Sequence, residues 1–108
     1  MLRIVLALTL VVYGVPALSQ TMSGGTITMI RTGWNDDSFA IVTAEPIQNP
    51  AHCPEPDGYL SMRTLPGYST YYAAALTAYT LKNPVVITTH NTECAGTRPK
   101  LIGINMGR

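Results

Sequence analysis

The chain opens on an apolar run and then changes pattern. Residues 4–12 are apolar except for Thr9; Arg3 stands before them, and Tyr13, Gly14 and Pro16 after them end any helix. Ala17-Leu18-Ser19 puts small residues at the two positions a signal peptidase reads. The pattern therefore predicts a cleavable leader over residues 1–19, cut before Gln20. The run falls short of the ~20 apolar residues that cross a bilayer, and no Cys stands at the cut to accept a lipid.

After the leader, residues 20–25 (Gln-Thr-Met-Ser-Gly-Gly) read as a flexible lead-in. Residues 26–31 alternate polar and apolar with β-branched side chains, which predicts a strand. Gly33, Asn35, Asp36 and Asp37 are turn formers, and residues 38–43 read as a second strand, giving a hairpin with Trp34 near its tip. Pro46, Pro50, Pro54, Pro56 and Gly58 make residues 44–58 an ordered loop, since proline cannot donate to a sheet ladder.

Residues 59–63 form a short third strand, and Pro66-Gly67 turns the chain. Ser69 or Thr70 is placed to cap a helix running to about Leu81. Tyr72, Ala75, Leu76 and Tyr79 fall at i, i+3, i+4 and i+7 and predict its buried face, which leaves Tyr68 and Tyr71 exposed. Lys82 suits the last turn, Asn83 its closure, and Pro84 forbids continuation. Residues 85–90 read as a strand, 91–99 as a loop carrying Cys94, and 101–106 as the last strand. The chain is thus mainly β with one helix, in the order β-β-β-α-β-β. That is the order of an OB-fold-like five-stranded barrel; the alternative is an open α+β sheet.

Composition narrows the chemistry. Removing the leader leaves one small domain over residues 20–108, with Arg31, Arg63, Lys82, Arg98, Lys100 and Arg108 against Asp36, Asp37, Glu45, Glu55, Asp57 and Glu93. The net charge is near zero, so nucleic acid and anionic membrane are poor partners. A domain of this size is marginal without a staple. Cys53 and Cys94 are the only cysteines, and an exported chain meets an oxidising compartment, so they are expected to bond to each other. His52 and His90 flank them, but the spacing is unusual for zinc, and no metal or other cofactor is expected.

Ser, His and Asp are present without a nucleophile elbow, and Ser69 suits capping, so catalysis is not expected. Asp36 and Asp37 are neighbours in a turn, where side chains diverge and offer too few ligands for calcium. Trp34, beside Asn35 and Asp36, is placed either to stack on a sugar or partner or to fold back over the barrel. Tyr68 and Tyr71 join these three as the candidate binding surface.

Several segments carry a resemblance: Tyr71-Tyr72-Ala73-Ala74-Ala75-Leu76-Thr77-Ala78-Tyr79, then Pro84-Val85-Val86-Ile87, then Asn91 with Cys94, then Leu101-Ile102-Gly103-Ile104. They resemble small exported bacterial proteins similar in layout to the pentameric binding subunits of AB-type toxins, notably the subtilase cytotoxin type. The resemblance covers residues 27–106. It implies an oligonucleotide/oligosaccharide-binding barrel and either glycan recognition or subunit assembly, and it supplies no site residue. The toxin subunits carry a longer segment before the hairpin, so an edge used for ring assembly is expected to be missing here. The resulting expectation is a periplasmic or secreted, non-catalytic binding module for a glycan or an exported protein. It would be a monomer or weak oligomer. The alternative is a structural subunit of a toxin-like or surface complex, with a pentamer as its assembled form.

Overall fold

The computed structural model describes residues 20–33 and 35–106; the expected leader and Trp34 lie outside the described residues. Five strands and one helix follow in the order β1 (Gln20–Thr32), β2 (Phe39–Thr43), β3 (Tyr59–Ser61), α1 (Tyr68–Leu81), β4 (Pro84–Ala95) and β5 (Arg98–Met106). The sheet closes as β1-β2-β3-β5-β4, with β4 returning to β1. All neighbours run antiparallel except β3 and β5, which are parallel. This is the OB-fold-like barrel its element order predicts, with the helix between strands three and four.

Alternation fills the interior. Ile27, Phe39, Ile41, Tyr59, Val85, Ile87 and Leu101 are buried in one core with Ala75 and Ala78 of the helix. The intervening Ala40 and Leu60, paired across β2 and β3, point the other way and form a second buried cluster with Ala95 and partly buried Met62. Two interior hydroxyls, Ser61 Oγ and Thr89 Oγ1, are fully buried with no hydrogen-bond partner among the described residues.

Three strands run further than the sequence suggests. The expected flexible lead-in is the first half of β1, paired with β4 from Gln20↔His90 to Thr26↔Pro84. Ladder bonds belong to the backbone, so weak strand formers such as Ser23, Gly24 and Gly25 can join a strand that tertiary pairing selects. Gly25 is also needed for close approach: a Cβ there would stand 2.7 Å from the Glu45 carboxylate. Likewise β4 continues to Ala95 through register shifts, and Cys94 pairs with Pro99 inside it rather than lying in a loop. β5 accordingly begins at Arg98, after a two-residue turn at Gly96-Thr97.

The helix is rotated relative to its expected face. Leu76 and Tyr79 are 45% and 43% exposed, whereas Ala75 and Ala78 are buried and Tyr68, Tyr71 and Tyr72 are half-buried against the core. Tyr68, Tyr71, Tyr72, Ala75 and Ala78 make a second stripe of helical period. That stripe prevails because two alanines let the helix sit close to the barrel while Tyr68 and Tyr72 reach Phe39. Tyr71 lies over Gly67, where a Cβ would come within 2.2 Å of its ring.

The helix ends differ too. Gly67 occupies the N-cap without a side-chain bond, because the preceding turn, closed by Tyr68 N–H donating to the Leu65 carbonyl, starts the helix before Ser69. At the other end Lys82, not Asn83, takes the left-handed conformation (φ 55°), while Asn83 N–H donates to the Ala78 carbonyl.

The disulfide forms as expected. Cys53 and Cys94 are bonded, their Cα atoms 5.8 Å apart, across 41 positions of sequence. Asn49 clamps the same loop by accepting from Cys53 N–H (2.8 Å) and donating to its carbonyl (3.0 Å). Gln48 N–H donates to the hydroxyl of buried Tyr59 at 2.8 Å. The proline-rich loop is thereby tied to β3 and to the end of β4.

Candidate functional site

Barrels of this type ordinarily bind on the outer face of strands two and three and on the β1–β2 and β4–β5 loops beside it. Here that face is occupied by the chain itself, since Ala40 and Leu60 are buried with Ala95 and Met62. An ionic lattice lies beside it. Arg98 reaches Asp57 (2.7 Å) and Glu55 (3.0 Å), Arg31 reaches Asp57 (3.4 Å), and Glu55 N–H donates to the Thr97 carbonyl. The Arg98 hydrogen bond holds the Asp57 carboxyl below its ordinary value, with Arg31 adding to it and desolvation opposing. The same pairing raises the Arg98 guanidinium.

At the end of the barrel, the β1–β2 hairpin and the first turns of α1 leave a cleft of about 460 Å³. Thr32, Gly33, Asp36, Asp37 and Ser38 line one wall, and Tyr68 and Tyr72 the other. The hairpin wall is fixed locally. Gly33 and Asn35 take positive φ (97° and 65°), Asp36 Oδ1 accepts from Ser38 N–H at 2.9 Å, and Asp37 pairs with Arg63 at 3.1 Å. The two carboxylates thus have separate partners and diverge, as neighbours in a turn do.

The aromatic wall is fixed by packing. Phe39, fully buried, holds Tyr68 at a centroid distance of 5.5 Å and Tyr72 edge-on at 5.1 Å. Desolvation first, and then the charges of Asp37, Tyr72 and Asp36, push the Tyr68 hydroxyl up, so it keeps its proton as a donor. The cleft combines carboxylate acceptors, a phenolic donor and ring surface at a volume typical of ligand sites. That set suits a neutral ligand rich in hydroxyl groups.

Two other hollows match this less well. One of about 190 Å³ beside β2 is walled by Glu45, Ile47, Pro56, Asp57 and Tyr59, and its Asp57 is already held by two arginines. A trough of about 600 Å³ between β1 and the end of α1 is larger, but among the described residues no carboxylate or amide side chain lines it. His90 Nδ1 accepts from the Glu93 N–H (3.0 Å) beside the disulfide, while His52 is exposed. Among the described residues no three His, Cys, Asp or Glu side chains gather to hold a metal.

Of the residues singled out in the sequence, Asp36 and Tyr68 meet in the cleft, and Asn35 is exposed on the hairpin beside it. Trp34 lies outside the described residues. Tyr71 is not an exposed helix surface but packs on the core over Gly67. Asp37, Ser38 and Tyr72 line the same cleft and were not singled out for the binding surface in the sequence. The i, i+4 spacing of Tyr68 and Tyr72 was the available signal, since it puts both rings on one helix face. No family model matches the chain, and no curated protein sequence is significantly similar to it.

Among the described residues no helix is long and apolar enough to cross a membrane.

Proposed function

We propose that the protein is an exported, non-catalytic binding module whose ligand is a glycan held at the end of the barrel. The observation that carries this reading is the cleft of about 460 Å³, in which Asp36 and Asp37 face Tyr68 and Tyr72. Sugars present hydroxyls to carboxylates and C–H faces to aromatic rings, and this cleft offers both. The leader pattern supports export, and the disulfide agrees with an oxidising compartment. The filled outer face of β2 and β3 explains why the end of the barrel, rather than its side, is the place to look.

A glycan array probed with the oxidised protein tests this reading, with Tyr68→Ala and Asp36→Asn beside it. Asn retains an oxygen for the Ser38 N–H but removes the charge. Binding that both variants weaken at least roughly tenfold supports the reading. Absence of any glycan signal, or signal indifferent to both substitutions, sinks it. The second reading, a structural subunit of a toxin-like or surface complex, draws on Leu76, Tyr79 and Leu81, large apolar side chains exposed on α1. Charged substitutions at Leu76 and Tyr79 that abolish capture of an exported partner, with glycan binding absent, would favour it.

A further inference from the structure

The barrel is closed, yet one stretch of β1 has a partner on only one side. Thr26 directs both backbone groups toward β2, its carbonyl accepting from Ala44 N–H (3.0 Å) and its N–H donating to the Glu45 carboxylate (2.9 Å). Backbone groups of a strand alternate in direction, so those of Gly24, Met22 and Gln20 point the same way. There β2 has already ended, since its register with β1 stops at Ile27↔Thr43. Thr21, Ser23 and Gly25 face β4 instead, which agrees with Pro84, lacking an N–H, standing opposite Thr26. Residues 20–24 therefore present a free sheet edge among the described residues.

Natural edges are commonly guarded by charge, proline or a bulge. Two other places on the sheet carry such guards: Glu45 caps Thr26, and β5 begins Arg98-Pro99-Lys100. Residues 20–24, Gln-Thr-Met-Ser-Gly, carry no charged side chain and no proline. Met22 is 56% exposed, and Gly24 has no side chain to hold an incoming strand away.

We infer that residues 20–24 are an interaction edge whose partner is a second copy of this chain, paired antiparallel about a two-fold axis at Met22. The edge is self-complementary: with Met22 opposite Met22, Gln20 of each copy faces Gly24 of the other. That pairing forms about six backbone hydrogen bonds. The register is bounded, because Thr26 N–H is already taken by Glu45. No like charges oppose one another across the axis, and the mature chain has six Lys and Arg against six Asp and Glu. The product is a continuous six-stranded sheet, β5-β4-β1 of one copy joined to β1-β4-β5 of the next. An isologous contact closes at two copies and does not propagate. It also makes the protein bivalent, because each copy keeps its own barrel-end cleft. The edge begins at the expected mature terminus, so the inference rests on cleavage before Gln20.

Sedimentation equilibrium of the oxidised, exported protein from about 1 μM to about 1 mM tests this, after intact mass has established that the chain starts at Gln20. A reversible monomer–dimer equilibrium is expected. Met22→Lys and Met22→Glu place like charges opposite each other at the axis and should each weaken the dimer roughly tenfold or more. Because Met22 is exposed in the monomer, both variants should melt as the wild type does at concentrations where the wild type is monomeric. An equimolar mixture of the two should restore association as a heterodimer, since only a two-fold axis at position 22 brings Lys and Glu together. A wild type that stays monomeric at about 1 mM, a ring of higher order, or a dimer that neither substitution weakens overturns the inference. Failure of the Lys–Glu mixture to recover association overturns the axis at Met22.

Discussion

Replacing Cys53 and Cys94 together with Ala should cost about 4 kcal/mol. The bond spans 41 positions, and in the chain-entropy description a closed loop of that length removes ~13 cal/mol/K from the unfolded chain, or about 4 kcal/mol at room temperature. The folded side adds little, because Asn49 still clamps Cys53 by two hydrogen bonds and Gln48 still donates to Tyr59. For a domain this small, about 4 kcal/mol is a large share of the total stability and corresponds to a drop in Tm of roughly 20 °C. Urea unfolding of wild type and variant, followed by circular dichroism, reads the difference directly. The urea dependence should also steepen in the variant, because its unfolded chain exposes more surface. A loss below about 1 kcal/mol would refute the reasoning, since it would mean that the unfolded chain already holds residues 53 and 94 close together.

Three further outcomes follow from particular contacts. Thr89→Val keeps the shape of a fully buried side chain and removes a hydroxyl that lacks a partner, so it should leave stability unchanged or raise it by about 1 kcal/mol; a loss above about 1 kcal/mol in thermal unfolding would show that the hydroxyl is satisfied. Phe39→Ala removes the ring that holds Tyr68 and Tyr72 and should cost about 3–5 kcal/mol, with a weakened near-ultraviolet tyrosine signal; a near-neutral result contradicts the assignment of Phe39 as the support of the cleft. Asp57, whose pKa is lowered below 3.8 by Arg98, contributes stability above that pH and loses it as the pH falls below; Asp57→Asn should therefore destabilise at pH 7 by less than about 1 kcal/mol, because the group is half exposed, and by less still near pH 3, and a penalty that grows on acidification counts against the Arg98 contact.

What the sequence revealed depended on whether the deciding force was local. Helix α1 was legible because Ala-rich propensity and Pro84 act within a few residues, and so was the cystine, because two cysteines allow one pairing. The first half of β1 was hidden, since Ser23, Gly24 and Gly25 read as linker and only pairing with β4 makes them a strand. The helix face was mistaken because its tyrosines, alanines and leucines supply two apolar stripes, and only the barrel's demand for small residues at Ala75 and Ala78 chooses between them. Asp36 and Tyr68 could be singled out as candidates from chemistry alone, and the structure brings both to one cleft. Tyr72 as their neighbour needed the support of Phe39, which lies far from it in sequence. The filling of the β2–β3 face was equally invisible, because Ala95 reaches Ala40 and Leu60 only through the fold of β4.

The central claim, ligand binding at the end of the barrel, is most directly tested by titrating the isotope-labelled oxidised protein with the strongest glycan from an array and following its amide resonances. The account predicts shifts at Thr32, Gly33, Asp36, Asp37 and Ser38 and in the first turns of α1 around Tyr68 and Tyr72, with β2 and β3 beyond the hairpin unmoved. Shifts centred instead on Leu60, Ala95 and Arg98, or no shifts at glycan concentrations that saturate the array signal, would contradict it.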